Sequence, residues 1–194
     1  KYAQQLNVSK KIENLILIAP SGLTPLEERQ AFADFILEGQ NVTLDELLAR
    51  VVYDPKPYQL LLKEEFRQFY AQPEVRDFIS SVKPEEFLDP AQPFGATNLS
   101  VIWGDHDRFV PTQWMRHWIE RYGAYLNAYQ MIQTGHLPQL ERPQALAEVV
   151  LHELGLSSAQ EGRYWKKLQS RKRSVLKSLP KANDVVVLLP FTKK

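Results

Sequence analysis

Trp103-Gly104-Asp105-His106-Asp107-Arg108-Phe109-Val110-Pro111 follows directly on the apolar run Leu99-Ser100-Val101-Ile102. A short apolar run closed by glycine reads as a strand buried on both faces, as in a parallel sheet. The ionisable residues after it then form a loop at the carboxyl end of that strand. A second junction of the same kind follows. Ala128-Tyr129-Gln130-Met131-Ile132 leads into Gly135-His136-Leu137-Pro138-Gln139-Leu140-Glu141-Arg142-Pro143. Open parallel sheets bind ligands beyond the carboxyl ends of their strands. Neighbouring parallel strands would bring the two loops together. An Asp of the first could then accept the Nδ1–H of His136, fixing the tautomer and leaving Nε2 as a general base.

Working outward, Leu15-Ile16-Leu17-Ile18-Ala19 is a third buried strand, broken by Pro20-Ser21-Gly22. Residues 1–11 read as the end of a helix. Residues 25–88 are helical in pattern. Phe32, Phe35 and Ile36 share one stripe, Leu44, Leu47, Leu48 and Val51 another, and Leu60, Leu61, Leu62, Phe66, Phe69 and Tyr70 a third. Asp54-Pro55-Lys56-Pro57, Pro73 and Pro84 punctuate them, and Asp89-Pro90-Ala91-Gln92-Pro93 reads as a return loop. Residues 112–122 are helical, with Trp114, Trp118 and Ile119 apolar. Pro143 to Leu154 is a helix with proline in its first turn. Strand, helical insert, strand, helix, strand, helix argues for α/β with a parallel sheet.

The 194 residues can bury a sizeable core, and 44% hydrophobic with 24% charged is ordinary for a globular chain. The absence of Cys excludes disulfide scaffolds, zinc–thiolate sites and Cys nucleophiles. No His/Asp/Glu cluster has zinc-ligand spacing and no glycine-rich phosphate loop occurs, so no metal or organic cofactor is expected. No apolar run reaches membrane-spanning length and no signal peptide opens the chain. Without Cys or a signal, the reading favours the cytoplasm. The net charge of +1 conceals an asymmetry. Residues 1–160 carry 14 Lys and Arg against 21 Asp and Glu; residues 161–194 carry 10 against 2. The basic end suits a membrane surface or an acidic partner, or packing on its own acidic body. Trp165, Leu168, Lys172, Leu176 and Leu179 lie at the spacing of a basic amphipathic helix, and Val185 to Leu189 is a β-like run. No nucleic-acid motif accompanies the charge.

Taken together, Trp103 to Pro111, Gly135-His136 and Glu141-Arg142-Pro143 resemble the C-terminal half of an α/β-hydrolase. The resemblance covers residues 1–155. It implies that Asp107, the last position of G-x-x-D, is the acid and His136 the base. It implies a core of residues 1–23 and 98–155, a helical cap over 24–97, and a basic extension over 156–194. The nucleophile elbow G-x-S-x-G is missing, and in this family it precedes the strand matched by Leu15–Ala19. The nucleophile and oxyanion-hole donors are therefore expected upstream of Lys1, this chain being one portion of the enzyme.

Ser21 follows a strand, but Ala19-Pro20-Ser21-Gly22-Leu23 lacks the glycine two residues before the serine. It reads as a turn or helix-cap residue. Asp105 rivals Asp107 as the acid and is set aside as a turn residue on its spacing to Gly104. His106 reads as a surface-loop residue, and His117 and His152 as structural or solvated. Arg108 and Arg142 are expected to anchor loops through carboxylates. Glu141 could orient the His136 loop or simply be a solvated residue near a helix start.

The resemblance implies an esterase- or lipase-like serine hydrolase acting on a small apolar or lipid-like carboxylic ester. An upstream Asp nucleophile would instead imply an epoxide hydrolase or dehalogenase; C–C bond and peptide hydrolysis are further variants. A non-catalytic scaffold serving as a binding module is the rival from another class.

Overall fold

The computed structural model describes residues 12–23, 28, 43–55, 68, 72–81, 96–158, 162–169 and 185–188. The expected helix over 1–11, the stripes around Phe32 and Leu60, the return loop at 89–93 and the segment 172–179 lie outside the described residues.

Five strands form one sheet: β1 Ile12–Ile18, β2 Ala96–Gly104, β3 Leu126–Met131, β4 Trp165–Gln169 and β5 Val185–Leu188. Their order is β4-β3-β2-β1-β5. β1 pairs in parallel with β2, from Ile12 opposite Ala96 to Ile18 opposite Ile102. β2 pairs in parallel with β3, from Leu99 opposite Leu126 to Gly104 opposite Met131. β5 lies parallel on the other side of β1, and β4 closes the far edge antiparallel to β3. Among the described residues the delimited helices are α1 Leu44–Val51, α2 Pro73–Ser81, α3 Met115–Tyr122, α4 Pro138–Glu141 and α5 Pro143–Glu153; a short 3₁₀ turn, Thr112–Trp114, leads into α3.

Period-two alternation sorts the apolar strands onto two cores. Leu15, Leu17, Leu99, Val101, Trp103, Leu126 and Ala128 pack with Leu47, Leu48 and Val51 of α1 and with Met115, Trp118 and Tyr122 of α3. Ile16, Ile18, Ile102, Tyr129 and Met131 pack on the opposite face with Ala145, Leu146 and Val149 of α5. Both faces are covered, which is why Leu15 to Ala19 is uninterruptedly apolar. α1 is held at its start by a capping box. Thr43 N–H donates to Glu46 Oε2 at 2.7 Å and Glu46 N–H to Thr43 Oγ1 at 3.3 Å. These bonds to Thr43 hold the Glu46 carboxyl below its ordinary pKa.

The α5 face also holds a buried polar cluster. The Glu153 carboxylate, 9% exposed, accepts from Ser100 Oγ on β2 and from Asn127 Nδ2 and the Tyr129 hydroxyl on β3. Lys167 Nζ stands 3.9 Å from the same carboxylate and 5.0 Å from the centre of the Tyr129 ring.

That cluster corrects the expected helix beginning at Trp165. Residues 165–169 are a strand. Trp165 and Lys167 point to the α5 face, and Lys166 and Leu168 are exposed. A tryptophan ring buries about 150–250 Å², worth roughly 25 cal/mol per Å². That outweighs helix-propensity differences of at most about 0.7 kcal/mol per residue. The open edge of β3 and a buried counter-carboxylate for Lys167 decide the conformation. Val185–Leu188 takes the strand form that its apolar run suggested. Among the described residues no helix is long and apolar enough to cross a membrane.

Candidate active site

The two ionisable loops leave the sheet side by side, at the carboxyl ends of β2 and β3. They are laced together by main-chain bonds. Asp105 N–H donates to Met131 O at 2.9 Å, and His106 N–H to Thr134 O at 2.9 Å. Asp105 Oδ1 accepts the Thr134 amide at 3.1 Å and faces His106 Nδ1 at 2.6 Å. Asp105 is thus a loop-tying residue, as a short polar turn side chain commonly is.

Asp107 has the other position. Its Oδ1 accepts the amides of Phe109 at 2.9 Å and Val110 at 2.8 Å, which fixes the plane of the carboxylate. Its Oδ2 stands 2.9 Å from His136 Nδ1. Both residues are buried, Asp107 at 5% and His136 at 2% exposure. A carboxylate opposite Nδ1 places the ring proton there and makes Nε2 the acceptor nitrogen. The Phe109 ring lies tilted against the imidazole, with ring centres 4.8 Å apart.

Glu141 is buried rather than solvated, at 7% exposure. Its Oε1 accepts the Gly135 amide at 2.8 Å and its Oε2 the Tyr53 amide at 2.7 Å. Burial pushes its carboxyl above the ordinary pKa. The Tyr53 and Gly135 amides and Arg142 pull it down, and the Asp107 charge adds to the rise.

The other candidates fall elsewhere. His106 is on the surface, edge-on to Tyr53. His117 lies 3.8 Å from Glu120 on α3, and His152 lies among the rings of Tyr129 and Trp165 on the α5 face. Ser21 sits in the turn after β1, partly exposed. Arg108 and Arg142 meet main-chain carbonyls, of Ala49 and Glu141, where carboxylates were expected. The Ala49 carbonyl lies in the last turn of α1, where carbonyls lack an intrahelical partner and a guanidinium can serve them. Among the described residues no three His, Cys, Asp or Glu side chains converge as a metal site.

Sequence reasoning missed the part played by Val51 and Tyr53, because main-chain groups serve there and no residue type announces them. It also missed the Glu153 cluster. The signal was present in Ser100 and Asn127, polar residues inside buried strands that need partners.

The parallel sheet, the helices on both faces and the two loops at the strand ends make up an α/β-hydrolase fold. Among solved structures, the chain is similar to the 2-hydroxy-6-oxo-6-phenylhexa-2,4-dienoate hydrolase of Rhodococcus sp. strain RHA1. The identity is 21% and the TM-score 0.57, over 74% of this chain and 55% of that one. A malate-bound thermophilic esterase of Thermogutta terrifontis is also similar, at 19% identity and TM-score 0.48, over 73% of this chain and 55% of that one. The chain thus spans just over half the length of either structure. No family model matches it, and no curated protein matches it in sequence.

Proposed function

We propose that this chain supplies the acid and the base of a serine hydrolase that cleaves carboxylic esters, its nucleophile lying in a part of the protein that precedes Lys1. The observation that carries the reading is the buried contact of His136 Nδ1 with Asp107 Oδ2 at 2.9 Å. A fixed carboxylate on one imidazole nitrogen turns the other into a general base of set direction.

In the proposed reaction the serine oxygen attacks the ester carbonyl while His136 Nε2 takes its proton. Asp107 stabilises the imidazolium that forms. The tetrahedral intermediate collapses, the C–O bond to the alcohol breaks, and Nε2 returns the proton to the departing oxygen. Water, deprotonated by the same nitrogen, then hydrolyses the acyl-enzyme. The substrate of this reading is a small apolar or lipid-like ester.

The test is fluorophosphonate labelling of the complete gene product, with the labelled residue located by mass spectrometry. Label on a serine before Lys1 supports the proposal. Label on Ser21 would move the nucleophile into this chain. Failure to label folded protein would turn the reading toward an Asp nucleophile or a non-catalytic scaffold.

A further inference from the structure

The end of α1 is built into the base loop. Val51, its last residue, carries one of the carbonyls that a helix leaves without an internal partner. That carbonyl accepts the His136 amide at 2.6 Å. Past Val52, whose amide stays with Leu48 O, Tyr53 N–H goes to Glu141 Oε2, and the amide before His136, that of Gly135, goes to Glu141 Oε1. Nothing larger than hydrogen fits on Gly135, because a Cβ there would stand 2.5 Å from Val51 O and 2.8 Å from Val52 Cα. On the acid side, Arg108 Nη1 reaches Ala49 O at 3.3 Å. Residues 49–53 therefore touch the loops of both partners in the buried pair. One buried carboxylate closes the arrangement by taking an amide from each side.

We infer that Glu141 is a positioning residue, which sets His136 against Asp107 by clasping the base loop to the Val51–Tyr53 end of α1. The inference rests on the proposal that His136 is the base, and it goes further. α1 belongs to the segment between β1 and β2, so the seating of that segment and the aim of the imidazole are one variable. A ligand that shifts the segment shifts the base. The clasp is directional in its chemistry. A carboxylate offers two acceptors to two donors, whereas a carboxamide offers one acceptor and turns an N–H₂ toward the other donor. Glu141→Gln is therefore nearly isosteric and still breaks half of the clasp.

The test is made by NMR on the complete protein and requires no turnover. It reads the His136 Nδ1 proton and the hydrogen exchange of the Tyr53, Gly135 and His136 amides. In Glu141→Gln we expect the His136 ring proton to broaden or vanish. We expect all three amides to exchange about tenfold faster or more, the weight of one hydrogen bond to a charged group. The His136 amide is the diagnostic, since its own acceptor is Val51 O and not Glu141. If only Tyr53 and Gly135 speed up while both His136 signals stand, Glu141 is a local brace and the inference fails.

Tyr53→Pro guards against a Glu141→Gln chain that does not fold. It deletes one donor and leaves the carboxylate in place, and the extended Val52, at ψ 151, accepts a following proline. It should move the His136 signals in the same direction. Tyr53→Ala keeps the amide and should leave them unchanged. Unmoved His136 signals in Tyr53→Pro, or moved ones in Tyr53→Ala, would overturn the inference. Failure of the proposed function would show separately, as a His136→Ala variant of the complete protein that still turns over ester.

Discussion

Gly104 and Gly135 are in backbone contact: a Cβ on Gly104 would stand 2.0 Å from the Gly135 carbonyl oxygen and 2.3 Å from that of Thr134. The end of the strand that leads to Asp107 is thus pressed on the residue before His136. Two side chains facing across this contact would hold the loops apart.

Gly104→Ala should accordingly be costly. Overpacking usually costs about 1–3 kcal/mol. Here the obstruction is main chain on both counts, so the upper end of that range or more is expected. Urea unfolding should show a lower midpoint with an unchanged slope.

Asp107→Asn should keep the fold and lose the chemistry. The amide oxygen can still accept from Phe109 and Val110, but its N–H₂ would face His136 Nδ1 and force the ring proton onto Nε2. On the proposed function, ester turnover by the complete protein should fall by on the order of 10⁴-fold, the effect of the wrong tautomer in a Ser-His-Asp site. Circular dichroism and the unfolding midpoint should stay close to those of the parent. Retained turnover would remove Asp107 from the reaction.

Glu141 makes a prediction about pH. Its folded pKa lies above the ordinary 4.5, raised chiefly by burial. Between 4.5 and the folded value the native state binds more protons than the unfolded chain, so stability from this group falls as pH rises. It is fully present below the unfolded pKa and lost as pH passes the folded one. Glu141→Gln removes this titration. The stability of the parent minus that of the variant should therefore shrink from pH 4 upward and then level off. Denaturant midpoints at half-unit pH steps would measure it, and a difference that grows with pH would contradict the sign.

The polar cluster under the sheet should be a strong stabiliser only while complete. Glu153→Leu would leave the Ser100 and Tyr129 hydroxyls and Asn127 Nδ2 facing an apolar side chain, with Lys167 losing the carboxylate 3.9 Å from its Nζ. Removing one member of such a buried set costs about 3–5 kcal/mol. Glu153→Gln retains an acceptor and should cost clearly less. Thermal unfolding of the two variants side by side would show the ranking.

How far these features could be read beforehand depended on what kind of group carries them. The runs at Leu15, Leu99 and Ala128 are apolar because both faces are covered, and that is visible in one dimension. That the loops holding Asp107 and His136 meet was legible because each follows such a run at a short, glycine-marked distance. Strand β3 begins at Leu126, two residues before the apolar run suggested, because Asn127 is paid for by Glu153 far along the chain. Strand β4 was misread for a related reason. Trp165 and Leu168 fit a helical repeat as well as Trp165 and Lys167 fit an alternation, and the choice is made by Tyr129 and Glu153. That Glu141 could orient the His136 loop was legible; its hold on α1 was not, since that half of the clasp is the main-chain amide of Tyr53.

The pairing of β5 with β1 joins segments about 170 residues apart, against roughly 84 for β1 with β2 and 27 for β2 with β3. Loop-closure cost rises with separation, so contacts this remote form late unless nearer ones have already drawn the ends together. During synthesis β2, β3 and the two ionisable loops emerge well before residues 185–188. The newborn sheet would thus hold Asp107 against His136 while β1 still lacked this partner.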